Sequence, residues 1–248
     1  MNHPVSAKSG HCHPSCGGEL FLEAVSDIFV DSLDNPRSFY AIHNYGMSLL
    51  FGDAGNKRFN RDLLDYFGGA RKKDEWLQAH PCCWHDMLEQ MVIAGKAAHY
   101  NRLNFAFDRD KFERSNPVSL LDSYEIVPTT AAMFSSIAGV VTPIAFWRDV
   151  ERFLEHVHFT VIIDDEPAST AFTAYRHDDI LEIGIETAEK YRGKGLARIA
   201  CTRLINHCIG NNLEPAWTCR LENMASTNLA LRLGFMETKQ MPYYQIYA

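Results

Sequence analysis

No stretch of this chain approaches the roughly 20 consecutive apolar residues that a helix needs to cross a bilayer, and no membrane partner is expected. The opening MNHPVSAKSGHCHPSCGG lacks the apolar middle of a secretory signal, so a cytoplasmic protein is expected. Basic charge is short overall: 24 Lys and Arg stand against 31 Asp and Glu, and the net charge of −7 argues against a broad surface for nucleic-acid phosphates. Low-complexity tracts and clear internal sequence repeats are also missing. The seven cysteines have neither a disulfide framework's spacing nor the repeated CxxC of a zinc knuckle. Two short stretches, His11-Cys12-His13 with Cys16 and His80 with Cys82, Cys83 and His85, offer soft ligands. A tail and a buried loop are the plainer readings, and no metal is assigned. Cys201 and Cys208, seven apart on an expected helix, read as core.

What the chain does have is an ordinary globular balance, 46% hydrophobic and 22% charged, with length for one large or two small domains. An N-terminal α/β domain over 1–118 and a second domain over 119–248 are expected, joined near SNPVSLLDS (115–123), where Pro117 blocks helix continuation. In the first, DIFVDS (27–32), RSFYAIHN (37–44) and MSLLFGD (47–53) read as an antiparallel meander. A helix is expected through DLLDYFGGARKKDEW, capped by Asn60 or Asp62 and open to interruption at Gly68-Gly69. A second helix is expected over 84–95 and a strand over 99–108.

The second half alternates more clearly. A helix is expected over 146–157, then strands at 159–164, 169–176 and 179–187. After them come a helix from Gly195, a strand at 215–221, a helix through STNLALRL stopping at Gly234, and a final strand at 243–248. The fold class is α/β, a mixed sheet with helices on its faces.

The strand–helix junction at 187–198 carries YRGKGLA. A helix N-terminus exposes unpaired N–H groups and the positive end of the helix dipole, and glycine lets an anion approach backbone closely. Gly193 and Gly195 supply the glycines, and Arg192, Lys194, Arg198 and Arg203 the local charge. Neither GxxxxGK[ST] nor GxGxxG is present, which disfavours nucleoside triphosphates and dinucleotides. A plain tight turn is the other reading.

Arg192, Gly195 and Ala197 match the [QR]-x-x-G-x-[GA] loop of the GNAT superfamily, and Asn223 followed by a short helix to Gly234-Phe235 matches its later motif. With VDSLDNPRSF, FDRDKF and FWRDVERFL, the chain resembles the GNAT family that includes the zwittermicin A resistance acetyltransferase, over nearly its whole length. The resemblance implies a catalytic GNAT fold in the C-terminal half, a degenerate GNAT-like unit before it, acetyl-CoA as co-substrate, and a small-molecule amine as acceptor. Monomer and homodimer both stay open.

By the same resemblance, Ile185, Glu186 and Thr187 would pair with the pantetheine arm. The run Arg192, Gly193, Lys194, Gly195, Leu196, Ala197 and Arg198 would hold the pyrophosphate, and Asn223 and Ser226 would flank the arm, or simply cap a helix. Glu182 and Glu186 alternate with apolar residues on one strand face, so either could take a proton from the amine, with His158 and His177 as alternatives. Many GNATs carry a tyrosine seven residues after the motif Asn; here that residue is Ala230. Ser226, Tyr243, Tyr244 or water would have to protonate the leaving thiolate. Trp217, Phe146 and Trp147 read as core or acceptor-pocket walls. A module that binds acyl-CoA without turnover is the alternative to an acetyltransferase.

Overall fold

The computed structural model describes residues 5–6, 25–43, 45–69, 71–147 and 149–248; the first His/Cys stretch lies outside them. Among the described residues no helix is long and apolar enough to cross a membrane. The chain forms two compact units, one reaching to Arg102 and including Gln240–Ala248, the other Leu103–Lys239.

The first unit opens with strands β1 (Val5–Ser6), β2 (Val25–Val30), β3 (Ser38–His43) and β4 (Met47–Gly52), each antiparallel to the next except β4, which follows β3 and leads into helix α1. Helix α1 (Lys57–Gly68) carries the chain to β5 (Glu75–His80), parallel to β4. A 3-10 turn, helix α2 (His85–Ile93) and β6 (Ala97–Phe107) follow. The end of β12 (Phe235–Ile246) lies antiparallel beside β5, Tyr244 opposite Leu77. Helix α1 buries Phe59, Leu63 and Phe67, one apolar stripe at four-residue spacing. Its cap is Asn56, not Asn60 or Asp62, and it ends before reaching Trp76. The residues EWLQAH alternate buried with half-buried or exposed positions, the period of a strand. Glu75 is tolerated in this core because Tyr40 and Tyr66 both donate to its carboxylate and Arg71 stands beside it.

The second unit contains α3 (Arg109–Ser115), β7 (Glu125–Pro128), α4 (Ala131–Ser136), α5 (Pro143–Phe146) and α6 (Val150–Leu154). Then come β8 (His158–Ile163), β9 (Glu166–His177), β10 (Ile180–Thr187), α7 (Leu196–Gly210), β11 (Glu214–Arg220) and α8 (Met224–Arg232). Its sheet runs β6-β11-β10-β9-β8-β7, β6 belonging to this unit from Leu103 onward; β7 to β10 are antiparallel neighbours, and α7 crosses between parallel β10 and β11. Leu181, Ile183, Leu204, Ile205, Trp217 and Phe235 build the main core, with Cys201 and Cys208 inside it as expected. A smaller cluster of Phe134, Trp147, Phe153 and Phe172 gathers α4, α6 and β9.

The single helix expected over 146–157 is two short ones. Trp147 is extended (φ −112°, ψ 128°), and the Asp149 carboxylate caps the next turn by accepting from Glu151 N–H at 2.7 Å. Trp147 leaves the helix because its indole is buried, where it donates to the Thr173 carbonyl at 2.8 Å.

The two units share one order of elements: three antiparallel strands, a helix, a parallel strand, a helix and a last strand. β2 to β6 follows it, and β8 to β12 follows it again. The repeat is one of topology, with no matching sequence repeat.

The boundary expected at 118/119 falls inside the second unit. Asn116 shows why. It is buried, its amide donates to the Phe112 carbonyl at 3.1 Å and the Arg232 carbonyl at 3.0 Å, and its oxygen accepts from Arg198 Nε at 2.7 Å. One side chain thus ties α3 to the end of α8 and the first turn of α7. Asn116→Ala leaves a carbonyl and a guanidinium nitrogen without that partner and is expected to cost about 2 kcal/mol in urea unfolding; a change below about 0.5 kcal/mol would count against this role.

Candidate active site

Strand β10 pairs with β9 along its full length but with β11 only through Ile180↔Glu214, Leu181↔Pro215 and Glu182↔Ala216. Past Glu182 the parallel pairing stops, although β11 continues to Arg220. The direction of β10's polar groups follows from the Ala188 N–H, which bonds to the Ala168 carbonyl. By alternation Glu186 and Gly184 also face β9, so Ile183, Ile185 and Thr187 turn their N–H and C=O toward the open side. Thr187 is already engaged: its carbonyl accepts from Arg192 Nε at 3.0 Å and its N–H donates to Glu186 Oε1 at 3.1 Å. Ile185 therefore presents the donor–acceptor pair on the unpaired edge.

At the top of this edge the chain makes a 3-10 turn (Glu189–Tyr191) and enters α7 through Gly193 (φ 77°) and Gly195 (φ 80°). Both left-handed residues suit glycine. Gly195 caps α7 with no side-chain hydrogen bond. The Arg192 N–H bonds to the Glu189 carbonyl and the Arg198 N–H to the Gly195 carbonyl. Among the described residues, the five amides between them, Gly193 to Ala197, donate to no protein group. The expected run is thereby trimmed at both ends. Five amides converge at the positive end of a 15-residue helix, an arrangement that binds anions.

The cations around them are engaged within the protein. Arg192 pairs with Glu186 at 3.2 Å, Lys194 sits 5.1 Å over the Tyr191 ring, and Arg203 lies 4.8 Å from the Phe159 ring. Arg198 turns its side chain to Asn116 and the Ser115 carbonyl. The anion-binding character is therefore carried by backbone, with the cations around it.

The two candidate carboxylates do share a strand face, opposite Leu181 and Ile183, which pack into the core that includes α7. Their surroundings differ. Glu182 stands where β10 and β11 part, accepts from Thr218 Oγ1 at 2.7 Å, and lies opposite Tyr175. Burial, and after it the Glu182 charge, raises the Tyr175 phenol above its ordinary pKa. Glu186 is buried and takes four donors: Val140 N–H, Val141 N–H, Thr187 N–H and Arg192. Thr218 and Tyr175 were not singled out from sequence; each becomes visible only once strand register is known.

Asn223 caps α8, its Oδ1 accepting from the Ser226 N–H at 3.1 Å. Ser226 Oγ in turn accepts from the buried Trp217 indole at 3.1 Å, which leaves the hydroxyl proton to donate elsewhere. Trp217 is a core wall against Phe235, and Trp147 is likewise core, while Phe146 is half-buried edge-on to Phe172. Ala230 is fully buried. Tyr244 donates to Glu89 at 2.8 Å and Tyr243 stacks on Trp76 at 5.2 Å, both within the first unit. Cys82 and Cys83 are exposed instead of buried, and no metal-holding cluster occurs among the described residues.

This site geometry accompanies a whole-chain match. Residues 18–247 fit the family model described as GNAT acetyltransferase. The chain belongs to the GNAT acetyltransferase family. A relative from Bacillus subtilis (strain 168), named uncharacterized N-acetyltransferase YdfB, is 24% identical over 223 residues, covering 89% of this chain and 84% of that protein. A crystal structure of a GCN5-related N-acetyltransferase-like protein from Streptococcus suis superposes with TM-score 0.69 at 22% identity, covering 94% of each chain. A tandem GNAT protein from the clavulanic acid biosynthesis pathway superposes with TM-score 0.55 at 11% identity, covering 90% of this chain and 83% of that one. The mixed α/β fold of this GNAT protein is thus shared with solved relatives.

The histidine alternatives are placed as well. His177 lies at the end of β9, half-exposed, 3.5 Å from Asp178. His158 is buried and stacks on Phe153, accepting at Nδ1 from Thr173 N–H at 3.1 Å while Nε2 faces the Phe153 carbonyl. Those contacts set the neutral tautomer with the proton on Nε2. Burial holds the imidazole down at about 4. Between that value and about 6.5 the unfolded chain holds a proton that the folded one does not, so acidification through this window favours unfolding. The loss from this group is of order 3 kcal/mol when complete. Urea midpoints measured from pH 7.5 down to 4.5 should fall more steeply for wild type than for His158→Gln; parallel slopes would contradict the assignment.

Proposed function

We propose that this GNAT protein moves an acetyl group from acetyl-CoA to the primary amine of a small molecule by direct attack on the thioester. The observation that carries the reading is the row of five unpartnered amides, Gly193 to Ala197, beside the open edge at Ile185. A diphosphate matches the first and the amides of a pantetheine arm match the second. The thioester supplies an activated acyl carbon; everything else falls to the chain. Glu182 takes the proton of the amine, directly or through a water, from the point where the strands separate. Ser226, its lone pair engaged by Trp217, donates a proton toward the leaving thiolate. The finer family resemblance, to the group containing the zwittermicin A resistance acetyltransferase, favours an antibiotic-like acceptor, and reduced cysteines agree with a cytoplasmic setting.

In this reading the N-terminal unit is a degenerate GNAT half. Its element order matches the catalytic unit, but its strand–helix junction is capped and surrounded by its own polar side chains. Asn56 accepts from Phe59 N–H at 3.1 Å, Asp53 accepts from Gly55 N–H at 2.9 Å, and Asp31 receives the Asn56 amide at 2.8 Å. Three polar side chains, two of them acidic, occupy the place an anion would take. Calorimetry should therefore give one CoA per chain, and Gly195→Val, which forces a β-branched residue to positive φ, should weaken CoA binding at least about tenfold. No heat with wild type at millimolar CoA would sink the proposal, and two equivalents would sink the degenerate half.

Loss of turnover with retained binding is a second reading, favoured by the buried Ala230 at the position where many GNATs have tyrosine. Thiol release across an amine panel separates the two. Where an acceptor is found, Glu182→Gln should lower kcat/KM by about 10²–10⁴ at neutral pH with CoA affinity within threefold of wild type. Unchanged turnover would remove Glu182 as the base.

A further inference from the structure

Glu186 turns its two carboxylate oxygens in two functional directions. Oε2 accepts the N–H groups of Val140 at 2.7 Å and Val141 at 2.9 Å, both from the turn that leads into α5 and on to Trp147. Oε1 accepts from Thr187 N–H at 3.1 Å and from Arg192 Nη2 at 3.2 Å, on the loop bearing the open amides. The turn is built around this carboxylate. Gly139 has φ 148°, and a Cβ added there would overlap the Glu186 carboxyl. Neither feature is needed if Glu186 only supplies a proton acceptor; with its oxygens occupied, it is poorly placed to be one.

We propose that Glu186 is a positioning residue that couples the anion loop to the 139–141 turn through Arg192. The inference rests on the reading that a pyrophosphate occupies the Gly193–Ala197 amides. A dianion there competes with Glu186 for the Arg192 guanidinium. When Arg192 shifts its hydrogen bond to phosphate, the Glu186 charge is shared among three backbone donors instead of three and a guanidinium. Each remaining N–H···carboxylate bond strengthens, and the turn tightens. Filling the anion loop would thereby order the wall formed by Val141 and Phe146, half-buried residues packed against Phe172 and Trp147. Val140, three-quarters exposed, and Ile144, half exposed, stand on the same segment.

The test is amide hydrogen exchange resolved at residues 139–141, on the full chain, with no ligand, with CoA, and with inorganic pyrophosphate. Without ligand, Val140 and Val141 should exchange at least tenfold more slowly than in Glu186→Ala or Gly139→Ala. Added CoA or pyrophosphate should slow them at least threefold further in wild type. Glu186→Gln keeps a carbonyl oxygen for the two turn amides but presents –NH₂ to Arg192. It should retain most of the ligand-free protection and lose the ligand response, which a merely structural role would not separate. Arg192→Ala frees Glu186 from the guanidinium, so it should show the ligand-bound protection of wild type already without ligand, with no further response and weaker CoA binding. Equal exchange in wild type and Glu186→Ala would overturn the anchoring, and a full ligand response in Glu186→Gln or Arg192→Ala would overturn the coupling. Absence of CoA heat in wild type condemns the cofactor reading by itself and, with no pyrophosphate response, the coupling too. Should Glu186→Ala fail to fold, Gly139→Ala and Glu186→Gln carry the same comparison.

Discussion

Main-chain polar groups must find partners, and in the second unit a contiguous set of them has none within the described protein. The unpaired edge at Ile185 comes from the parting of β10 from β11 after the Glu182–Ala216 pair, and the open amides from Gly193 to Ala197 come from a helix start with no capping side chain. Had the strands stayed together, Ile185 would bond to β11 and the edge would vanish into the sheet. Because they part, Trp217 and Thr218 stand beside an open edge, and a carboxylate, a hydroxyl and a phenol meet at the fork. Leaving such groups unsatisfied costs free energy unless water or a ligand takes them, so an open edge and an uncapped helix side by side mark a site.

The first unit serves as an internal control. It has the same succession of strands and helices, and its corresponding junction also contains glycines, Gly52 and Gly55. There, however, Asp53 and Asn56 accept from the Gly55 and Phe59 amides and Asp31 braces Asn56, which sets two carboxylates beside the junction. Architecture alone therefore does not make an anion site. The difference is a matter of side chains: an amide and two carboxylates cap and surround one junction, whereas the other has only glycine, cations and apolar residues that cannot cap it. The cations around the open junction are held by Glu186, Asn116 and aromatic rings, which fixes them near the amides while keeping them off the amides themselves.

What sequence could reveal follows the range of the interactions involved. The YRGKGLA junction, the Asn223 cap and the strands at 159–187 are local patterns, and periodicity or spacing exposes them. The break at Trp147 was hidden, because 146–157 has good helical periodicity and only the distant Thr173 carbonyl draws the indole out of it. The helix expected through DLLDYFGGARKKDEW takes in Glu75 and Trp76, the first two residues of β5, since Glu75 looks exposed until Tyr40 and Tyr66 are found around it. Asn116 sat in what reads as a linker, while its partners lie 82 and 116 residues away. Equally, alternation put Glu182 and Glu186 on one face but could not say that one is engaged by a turn 45 residues earlier and the other by Thr218.

That distinction between the carboxylates bears on how the chemistry would be divided. A base must offer an oxygen to the incoming amine, and the four donors on Glu186 make it the poorer offer. An acid must offer a proton near the sulfur. Ala230 cannot, being a buried methyl in the core; in the proposed reading the donor is a hydroxyl at the other end of the same helix. Ser226 is in its first turn, fixed by the Asn223 cap on its backbone and by Trp217 on its oxygen. A hydroxyl that already accepts from an indole is polarised toward donating. A thiolate is a better leaving group than an alkoxide, so a CoA thiolate needs only a weak donor to leave. A serine in the first turn of α8, in place of a phenol at the position of Ala230, is thus compatible with the reaction, provided that β11 and α8 keep Trp217 and Ser226 in register.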